Sequence, residues 1–308
     1  MTKDEKYMMR CIQLAQNGKL GAAPNPMVGA VVVCDGRIIG EGYHAKCGEA
    51  HAEVNAISSV KDESLLKRST IYVSLEPCAH WGKTPPCANL IVSKGIPKVV
   101  IGCQDPFSKV AGKGIEILKQ AGCEVKVGVL EEACRDLNKA FFTVQLKHRP
   151  FITLKWAQSA DGFIDGRIST PYTQMLCHKR RAEHQAIMVG RRTWEVDRPG
   201  LDVRCWTGPN PRIYVATRQP DYQTGRAGAT ACLPPRQGGL ARLCADGIQT
   251  LLVEGGSRLH QDFIDAGLWD ECYIEVGAAP LHGRVAAPTL HGAIWVETLP
   301  FFGSTIEH

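Results

Sequence analysis

The amino-acid sequence predicts an α/β protein built from two domains. Its 308 residues are enough for about two domains, each with its own hydrophobic core. Short apolar segments of strand length alternate with helical segments in both halves, a pattern typical of layered α/β folds. The charged segment Lys147-His148-Arg149-Pro150 interrupts this alternation, because proline cannot continue a helix. We therefore predict a boundary there, with domains at 1–147 and 150–308.

Local patterns predict the elements of the first half in order. The charged and then amphipathic start, MTKDEKYMMRCIQLAQ, predicts a helix. An Asp35-Gly36 pair between apolar segments is typical of a β-hairpin. The further elements expected are a helix from about His51, a strand at 71–75, a helix near Cys87, a strand at 98–102, a helix at 114–121 and a strand at 123–128. Together they predict an α/β/α sandwich with its chemistry at strand ends and helix N-termini.

Strand-like apolar segments recur in the second half. They lie at 151–155, 186–190, 212–216 and 250–254. Residues 224–239 are rich in Gly, Pro, Ala and Arg, and we expect them to form a loop. The strand at 250–254 runs into Gly255-Gly256-Ser257, with a helix expected from about Arg258. Glycines that open a helix expose N–H groups to anions, so this turn is either a phosphate site or an ordinary strand–helix turn.

Composition limits the classes of partner. The net charge of +5 is modest and the Lys and Arg residues are scattered, which argues against a nucleic-acid surface. No apolar stretch reaches about 18 residues, and the start lacks a signal-peptide pattern, so we expect no membrane association. The 13 cysteines are odd in number and widely spread, which favours a reducing compartment over a disulfide framework. We expect a cytoplasmic protein that acts on a small molecule.

His51-Ala52-Glu53, Cys78 and Cys87 together predict a catalytic zinc site. One imidazole and two thiolates fill three corners of a zinc tetrahedron and leave the fourth for a water, whose pKa zinc lowers to about 7. Glu53 is the candidate proton carrier. The H-x-E motif followed by P-C is typical of zinc nucleobase deaminases. A structural site is the alternative, but such sites usually have four ligands in C-x-x-C pairs, and the sequence contains no C-x-x-C.

The spacing of His51 and Glu53 does not by itself bring the two side chains together. Two residues on a helix are separated by roughly 200° of rotation, so we infer their convergence from the motif rather than from periodicity. We expect Cys78 to lie at a helix start, where the dipole and free N–H groups favour the thiolate.

Gly40-Glu41-Gly42-Tyr43-His44-Ala45 matches the dinucleotide fingerprint G-x-G-x-x-A. The fingerprint requires a strand, a tight turn and a helix within one βαβ unit. Here the segment follows a hairpin strand and runs into the zinc motif. We interpret the match as chance, with glycines that serve strand ends and turns.

The motifs of both halves resemble the bifunctional riboflavin biosynthesis deaminase/reductase family over most of the chain. The eight-residue gap between Cys78 and Cys87 distinguishes this family from C-x-x-C deaminases. The matching segments of the first half are Pro24-Asn25-Pro26-Met27-Val28-Gly29, Gly42-Tyr43-His44, His51-Ala52-Glu53, Leu75-Glu76-Pro77-Cys78-Ala79-His80, Gly82-Lys83-Thr84-Pro85-Pro86-Cys87, Asp105-Pro106 and Val110-Ala111-Gly112. Those of the second half are Leu154-Lys155, Ser159-Ala160-Asp161-Gly162, Thr193, Asp197, Pro199, Leu201, Arg204 and Glu254-Gly255-Gly256.

The resemblance implies a cytidine-deaminase-like first domain and a dihydrofolate-reductase-like second domain that uses NADPH. It implies zinc ligands at His51, Cys78 and Cys87 and a proton carrier at Glu53. The residues it assigns to the deaminase substrate are Asn25, His44, Lys83 and Asp105. Those it assigns to NADPH are Thr193, Asp197, Gly256 and Ser257, and those it assigns to the reductase substrate are Lys155, Leu201, Arg204 and Glu254.

The second half departs from the family pattern at several positions. Arg167 stands where a tryptophan is usual, and Ala216 replaces an aspartate. The late A-P-K-L-L-G motif is here Ala279-Pro280-Leu281-His282-Gly283, without its lysine.

The resemblance implies two reactions on 2,5-diamino-6-ribosylamino-4-pyrimidinone 5′-phosphate. The first is hydrolytic deamination, and the second is NADPH-dependent reduction of the ribosyl group to a ribityl chain. One alternative is a deaminase whose second domain binds without turnover, and another is a zinc deaminase of a different nucleoside. A zinc-stabilised binding protein is a third. The family also suggests a homo-oligomer.

Overall fold

The computed structural model describes residues 1–79, 85–106 and 111–308. The chain forms two compact units, Met1–Lys147 and His148–His308. One sheet of five strands and one of eight form the centres of the units. The predicted α/β fold class is confirmed. No helix in these described ranges is long and apolar enough to cross a membrane.

The first unit is a five-stranded mixed sheet with helices on both faces. Its strand order is β2-β1-β3-β4-β5, with β1 antiparallel to both neighbours and the remaining pairs parallel. The strands are β1 Gly29–Cys34, β2 Arg37–Tyr43, β3 Thr70–Leu75, β4 Lys98–Cys103 and β5 Glu124–Val127, and the helices are α1 Lys3–Ala15, α2 Ala52–Ser58, α3 Cys87–Ser93, α4 Lys113–Gln120, α5 Glu131–Leu137 and α6 Lys139–Lys147.

Two hydrophobic clusters make this unit a three-layer sandwich. Buried side chains of α1 and α5, with Phe142, pack on one face of the sheet, and those of α2, α3 and α4 pack on the other. A capping box between Thr2 and Glu5 begins α1 by satisfying backbone N–H groups of its first turn. Asp35 and Gly36 both have positive φ, as a tight two-residue hairpin turn requires.

The glycines of the chance dinucleotide match have a packing function. Gly40 and Gly42 lie in β2 against α2. A Cβ at Gly40 would lie 2.4 Å from the carbonyl oxygen of Ala56, and a Cβ at Gly42 would lie 2.4 Å from the backbone nitrogen of Ala56. Only glycine allows this strand to approach the helix so closely.

The second unit is an eight-stranded sheet in the order β12-β13-β11-β6-β10-β7-β8-β9. The strands from β11 to β9 are parallel, so their carboxyl ends share one edge, while β13 and β12 are antiparallel. The strands are β6 Phe151–Gln158, β7 Ala186–Gly190, β8 Arg212–Ala216, β9 Ala229–Cys232, β10 Thr250–Gly255, β11 Glu271–Gly277, β12 Thr298–Phe301 and β13 Ser304–Glu307, and the helices are α7 Pro171–Glu183, α8 Arg191–Asp197, α9 Gly239–Ala245 and α10 Ser257–Asp265.

The prediction of a loop over residues 224–239 was wrong in its centre. Strand β9 pairs in parallel with β8, with Cys232 opposite Ala216, and Pro235–Gln237 form a short 3₁₀ helix. A four-residue edge strand surrounded by Gly and Pro carries a weak local signal. Pairing with β8 decides its conformation, since strand propensity depends on the neighbouring strand.

A buried ion pair anchors the start of the second unit. The Asp270 carboxylate accepts from both ends of the Arg149 guanidinium fork, at 2.5 and 2.9 Å, and from the backbone N–H of Ile152. The two side chains are only 11% and 6% exposed. Replacing Asp270 with alanine would leave a buried unpaired guanidinium, so we expect the free energy of unfolding to fall by about 3–5 kcal/mol.

Urea denaturation of the full chain measures this loss. The matched control is E195A, which removes the exposed ion pair with Arg191 and should cost less than about 1 kcal/mol. A loss in D270A as small as that of the control would contradict the prediction.

We expect the buried His260 to make the stability of the second unit depend on pH. The side chain is 1% exposed, and burial lowers its pKa despite nearby carbonyl oxygens of Gly256, Val253 and Lys155. Below about pH 6.5 the imidazole of His260 binds a proton in the unfolded chain but not in the folded chain. The free energy of unfolding is therefore highest above that pH and falls as the pH is lowered. We expect up to about 1.4 kcal/mol of loss from this group between pH 7.5 and 5.5.

Urea unfolding followed by tryptophan fluorescence at the two pH values measures the effect, because the Trp156 ring lies 5.3 Å from His260. The pH-dependent loss should shrink in H260Q and persist in H291Q, which changes an exposed histidine. Equal losses in both variants would show that other groups cause the dependence.

Candidate active sites

The first unit brings His51, Cys78 and Cys87 together at one end of its sheet. His51 precedes α2, Cys78 follows β3, and Cys87 is the first residue of α3. The Nδ1 atom of His51 lies 3.6 Å from Cys78 Sγ and 3.4 Å from Cys87 Sγ. The ligand atoms of the three residues all lie within 4.8 Å of one another.

These distances fit a tetrahedral zinc ion. With Zn–S of about 2.3 Å and Zn–N of about 2.0–2.1 Å, tetrahedral angles place sulfur and nitrogen about 3.5 Å apart. The observed separations from His51 agree with that value within about 0.1 Å. Three protein donors of nitrogen and sulfur type leave one coordination position for water or substrate, as in catalytic zinc sites.

The expectation that Cys78 begins a helix was wrong. Cys78 lies in the segment after β3, and α3 begins at Cys87 instead. The N–H group of Cys87 nevertheless points to Cys78 Sγ at 3.3 Å. Cys78 thus receives a donor from the helix N-terminus without lying in the helix.

Neighbouring groups stabilise a thiolate at Cys78. A hydrogen bond from the Cys87 thiol, followed by one from His51, lowers the pKa of Cys78 to about 4 against the opposing effect of burial. The same interaction with Cys78, together with burial, raises the pKa of Cys87. The site therefore favours a thiolate, the form of cysteine that binds metal.

Glu53 lies on α2 within reach of the cysteines. Its side chain is 3% exposed and interacts with the Cys87 thiol. Burial, with the negative charge of Cys78, raises the pKa of Glu53 to about 7. His51 and Glu53 converge because His51 is the N-cap, with extended backbone at φ −73° and ψ 165°, so the helical rotation of 200° per two residues does not apply.

Asn25 and His44 form a hydrogen-bonded pair beside the cluster. The Nδ2 group of Asn25 lies 3.1 Å from His44 Nε2, and His44 Nδ1 lies 3.1 Å from the carbonyl oxygen of Ala50. These partners place the imidazole hydrogen on Nδ1 and make Nε2 an acceptor. Burial lowers the pKa of His44, which agrees with a neutral ring. The His44 ring lies 5.3 Å from that of His51.

The remaining predicted contacts of the deaminase substrate are Asp105 and Lys83. Asp105 follows β4, is 9% exposed, and donates its backbone N–H to Glu76. Lys83 lies outside the described residues.

Four predicted NADPH contacts lie at the carboxyl edge of the second sheet or next to it. A Cβ at Gly255 would lie 2.8 Å from Thr193 Cγ2, and Gly256 has a positive φ with Thr193 Oγ1 3.3 Å from its Cβ position. Thr193 and this glycine turn therefore adjoin, because the absence of side chains at Gly255 and Gly256 lets the Thr193 side chain pack against the turn. Ser257 begins α10 and donates to the Ala286 carbonyl. Asp197 lies one turn after Thr193, exposed at the end of α8.

The predicted reductase-substrate residues have partners within the chain. Lys155 Nζ lies 3.8 Å from Glu275, and Arg204 forms an ion pair of 2.6 Å with Asp202. Leu201 is buried in a left-handed conformation with φ 54°.

Glu254 is held by Arg181, a residue that the sequence analysis missed. The guanidinium donates to both carboxylate oxygens, at 2.9 and 2.6 Å, and the side chains are 12% and 7% exposed. In the sequence Arg181 belongs to the basic segment of α7, which has the appearance of a solvated helix face. The residues around Arg181 in the sequence do not show that it pairs with Glu254, because Glu254 lies 73 positions away.

Comparison with known proteins gives the family. Residues 1–103 match the cytidine and deoxycytidylate deaminase zinc-binding region, and residues 150–231 match the RibD C-terminal domain. The riboflavin biosynthesis protein RibD of Bacillus amyloliquefaciens is 35% identical over 329 residues, covering 94% of this chain and 88% of that protein. The chain belongs to the RibD family of riboflavin biosynthesis proteins.

Other RibD proteins extend the match. The Aquifex aeolicus RibD is 45% identical over 207 residues, which cover 65% of this chain and 58% of that protein, so this match spans less than two thirds of the relative. A Thermotoga maritima structure described as a diaminohydroxyphosphoribosylaminopyrimidine deaminase/5-amino-6-(5-phosphoribosylamino)uracil reductase has a TM-score of 0.87 at 32% identity, covering 99% of this chain and 97% of that one. Acinetobacter baumannii RibD has a TM-score of 0.86 at 28% identity, with 99% and 98% covered. The family and the two domain types predicted from the sequence are confirmed.

Proposed function

We propose that this RibD-family chain catalyses two steps of riboflavin biosynthesis. The first unit deaminates 2,5-diamino-6-ribosylamino-4(3H)-pyrimidinone 5′-phosphate by hydrolysis, and the second reduces the ribosyl group to a ribityl chain with NADPH. The observation that carries the proposal is the three-donor cluster of His51, Cys78 and Cys87 with buried Glu53 beside it. A hydrolytic zinc site needs this combination of three ligands and one free carboxylate.

The side chains of the first unit divide the work of deamination. When bound, zinc supplies Lewis-acid chemistry and lowers the pKa of a coordinated water to about 7. Glu53, which does not belong to the ligand set, carries a proton from the attacking water to the departing nitrogen. Asn25, His44, Lys83 and Asp105 orient the pyrimidine and its ribosyl phosphate. A C–O bond forms, the C–N bond breaks, and ammonia leaves.

The second unit would hold NADPH at the Gly256-Ser257 turn with Thr193 and Asp197. The contact between Thr193 and the Gly255-Gly256 turn supports this placement, because it brings residues assigned to NADPH together. When bound, NADPH would supply a hydride for the anomeric carbon, whose bond to the ring oxygen breaks while that oxygen takes a proton from water. Lys155, Leu201, Arg204 and Glu254 would hold the sugar phosphate, with Arg204 suited to phosphate because of its bidentate fork.

One observation favours the alternative of a deaminase whose second unit does not turn over. The charged groups proposed for the reductase substrate already have partners: Glu254 binds Arg181, Arg204 binds Asp202, and Lys155 lies near Glu275. Substrate must exchange these pairs for its own contacts, and the late segment Ala279-Pro280-Leu281-His282-Gly283 lacks the lysine of the family motif.

Mass spectrometry of the products separates these proposals. Purified zinc-loaded protein is given the diaminopyrimidine substrate with and without NADPH. We expect deaminated product alone without NADPH, and deaminated and reduced product with it. If NADPH changes nothing, the chain is a deaminase alone, and if no ammonia is released, the substrate assignment is wrong. A homo-oligomer and a cytoplasmic location remain part of the proposal, and light scattering of the purified chain tests the first.

A further inference from the structure

Glu76 joins the metal-ligand segment to the segment that carries Asp105. It follows β3 directly and stands two residues before Cys78. Its backbone N–H donates to the carbonyl oxygen of Cys103 at 3.0 Å, next to the end of β4. The side chain is only 4% exposed. A buried carboxylate in this position requires partners, because an unpaired buried charge is strongly unfavourable.

Four backbone N–H groups of the described residues supply such partners. Oε2 accepts from Asp105 at 3.3 Å and from Gly112 at 3.0 Å. Oε1 accepts from Gly114 at 2.9 Å and from Ile115 at 3.3 Å. An ionised carboxylate can accept about four hydrogen bonds, and these four donors occupy that many acceptor positions.

These contacts bind both described ends of the connection between β4 and α4. Asp105 lies near the start of the connection and Gly112 at its end, and Gly114 and Ile115 belong to the first turn of α4. The N-cap residue of α4, Gly112, has no side chain to satisfy the first N–H groups, so Glu76 satisfies them from a distant position, with a charge that suits the positive helix end. A Cβ at Gly114 would lie 2.0 Å from the Pro77 carbonyl oxygen, so glycine is needed for this approach.

We propose that Glu76 is a positioning residue of the deaminase. One carboxylate fixes the Asp105 backbone relative to the chain that leads into Cys78, and so sets the distance between the substrate contact and the metal site. The inference rests on the proposed function, in which Asp105 contacts the pyrimidine ribosyl phosphate. The position requires a carboxylate, because a glutamine at 76 would turn its NH₂ group toward backbone N–H donors.

The test compares E76Q with wild type in zinc content, in the KM and kcat of ammonia release, and in hydrogen exchange of the four amides. We expect E76Q to keep one zinc per chain, to raise KM for the diaminopyrimidine by about tenfold or more, and to change kcat by less than about threefold. The amides of Asp105, Gly112, Gly114 and Ile115 should exchange faster than in wild type, because their acceptor is impaired. E116Q is the matched control, since it removes an exposed carboxylate from the first turn of the same helix.

A double variant separates positioning from a general loss of structure. If Glu76 acts through Asp105, E76Q in a D105N background should raise KM by much less than it does alone. Equal effects in both backgrounds, or wild-type KM and exchange in E76Q, would overturn the inference. Loss of zinc in E76Q would also overturn it, because Glu76 would then support the metal site itself.

A variant that keeps the carboxylate, E76D, is the second test. E76D retains the charge on a side chain shorter by one methylene, and the same readouts apply if E76Q does not fold. Failure of the proposed function has a different signature: wild type itself would release no ammonia. In that case amide exchange still decides whether Glu76 holds the segment, with protected amides in wild type and E116Q and faster exchange in E76Q.

Discussion

Replacing Glu53 with glutamine is expected to lower the rate of deamination by about 10³-fold without loss of zinc. General acid–base groups contribute about 10²–10⁴-fold, and an amide cannot carry the proton from water to the departing nitrogen. Glutamine has nearly the same shape, so the metal cluster and the pyrimidine contacts should persist. Ammonia release measures the rate of deamination, and inductively coupled plasma mass spectrometry measures the zinc content of the same sample.

The control for E53Q is E49Q, which changes an exposed glutamate in the segment before His51. It should retain both zinc and activity. Reduction of added deaminated product by NADPH should be the same in E53Q and wild type, because the variant lies in the first unit. Deamination at the wild-type rate in E53Q would refute the assignment of the proton carrier.

Replacing Cys78 with alanine is expected to remove zinc and to reduce deamination to background, a loss of at least about 10³-fold. The variant leaves two of three protein donors, and it removes the cysteine whose thiolate the neighbouring groups favour. Because metal binding contributes to folding free energy, the first unit should also lose the stabilisation that added zinc gives the wild type. Zinc analysis and thermal unfolding with and without added zinc measure both effects.

An exposed cysteine provides the matched control. C205A also removes one thiol but should retain zinc and deamination, since Cys205 lies far along the chain in the second unit. Stoichiometric zinc in C78A would place the metal elsewhere in the protein. Activity without zinc would exclude the hydrolytic metal mechanism.

The donor set of the metal site was predictable because residue type carries its chemistry. Histidine and cysteine at positions 51, 78 and 87 identify a zinc-binding pattern before any fold is known. The Asp35-Gly36 hairpin was predictable for a similar reason, since both positions need a positive φ that few residues tolerate. The family segments around these residues then predicted the two domain types.

Local patterns gave a wrong position for Cys78 and missed β9. The helix was predicted near Cys87, but the proline-containing segment between the two cysteines does not show that Cys78 lies outside it, so Cys78 was wrongly expected at a helix start. In the structure α3 begins at the second cysteine, and the backbone N–H of Cys87 donates to the Sγ atom of Cys78. The composition of β9 does not favour a strand, and its extended conformation is fixed by pairing with β8.

The sequence by itself determined the residue types of the candidate zinc site, the carboxylate beside them, the alternation of strands and helices, and the family. Tertiary structure alone decided three relations, namely the approach of His51 and Glu53 to the same cysteine, Cys87, the hold of Glu76 on the segment around Asp105, and the pairing of Arg181 with Glu254. The physical reason is separation along the chain. Periodicity and spacing encode neighbours within a few residues, whereas the last two contacts join residues 29 and 73 positions apart and depend on which strands lie next to each other.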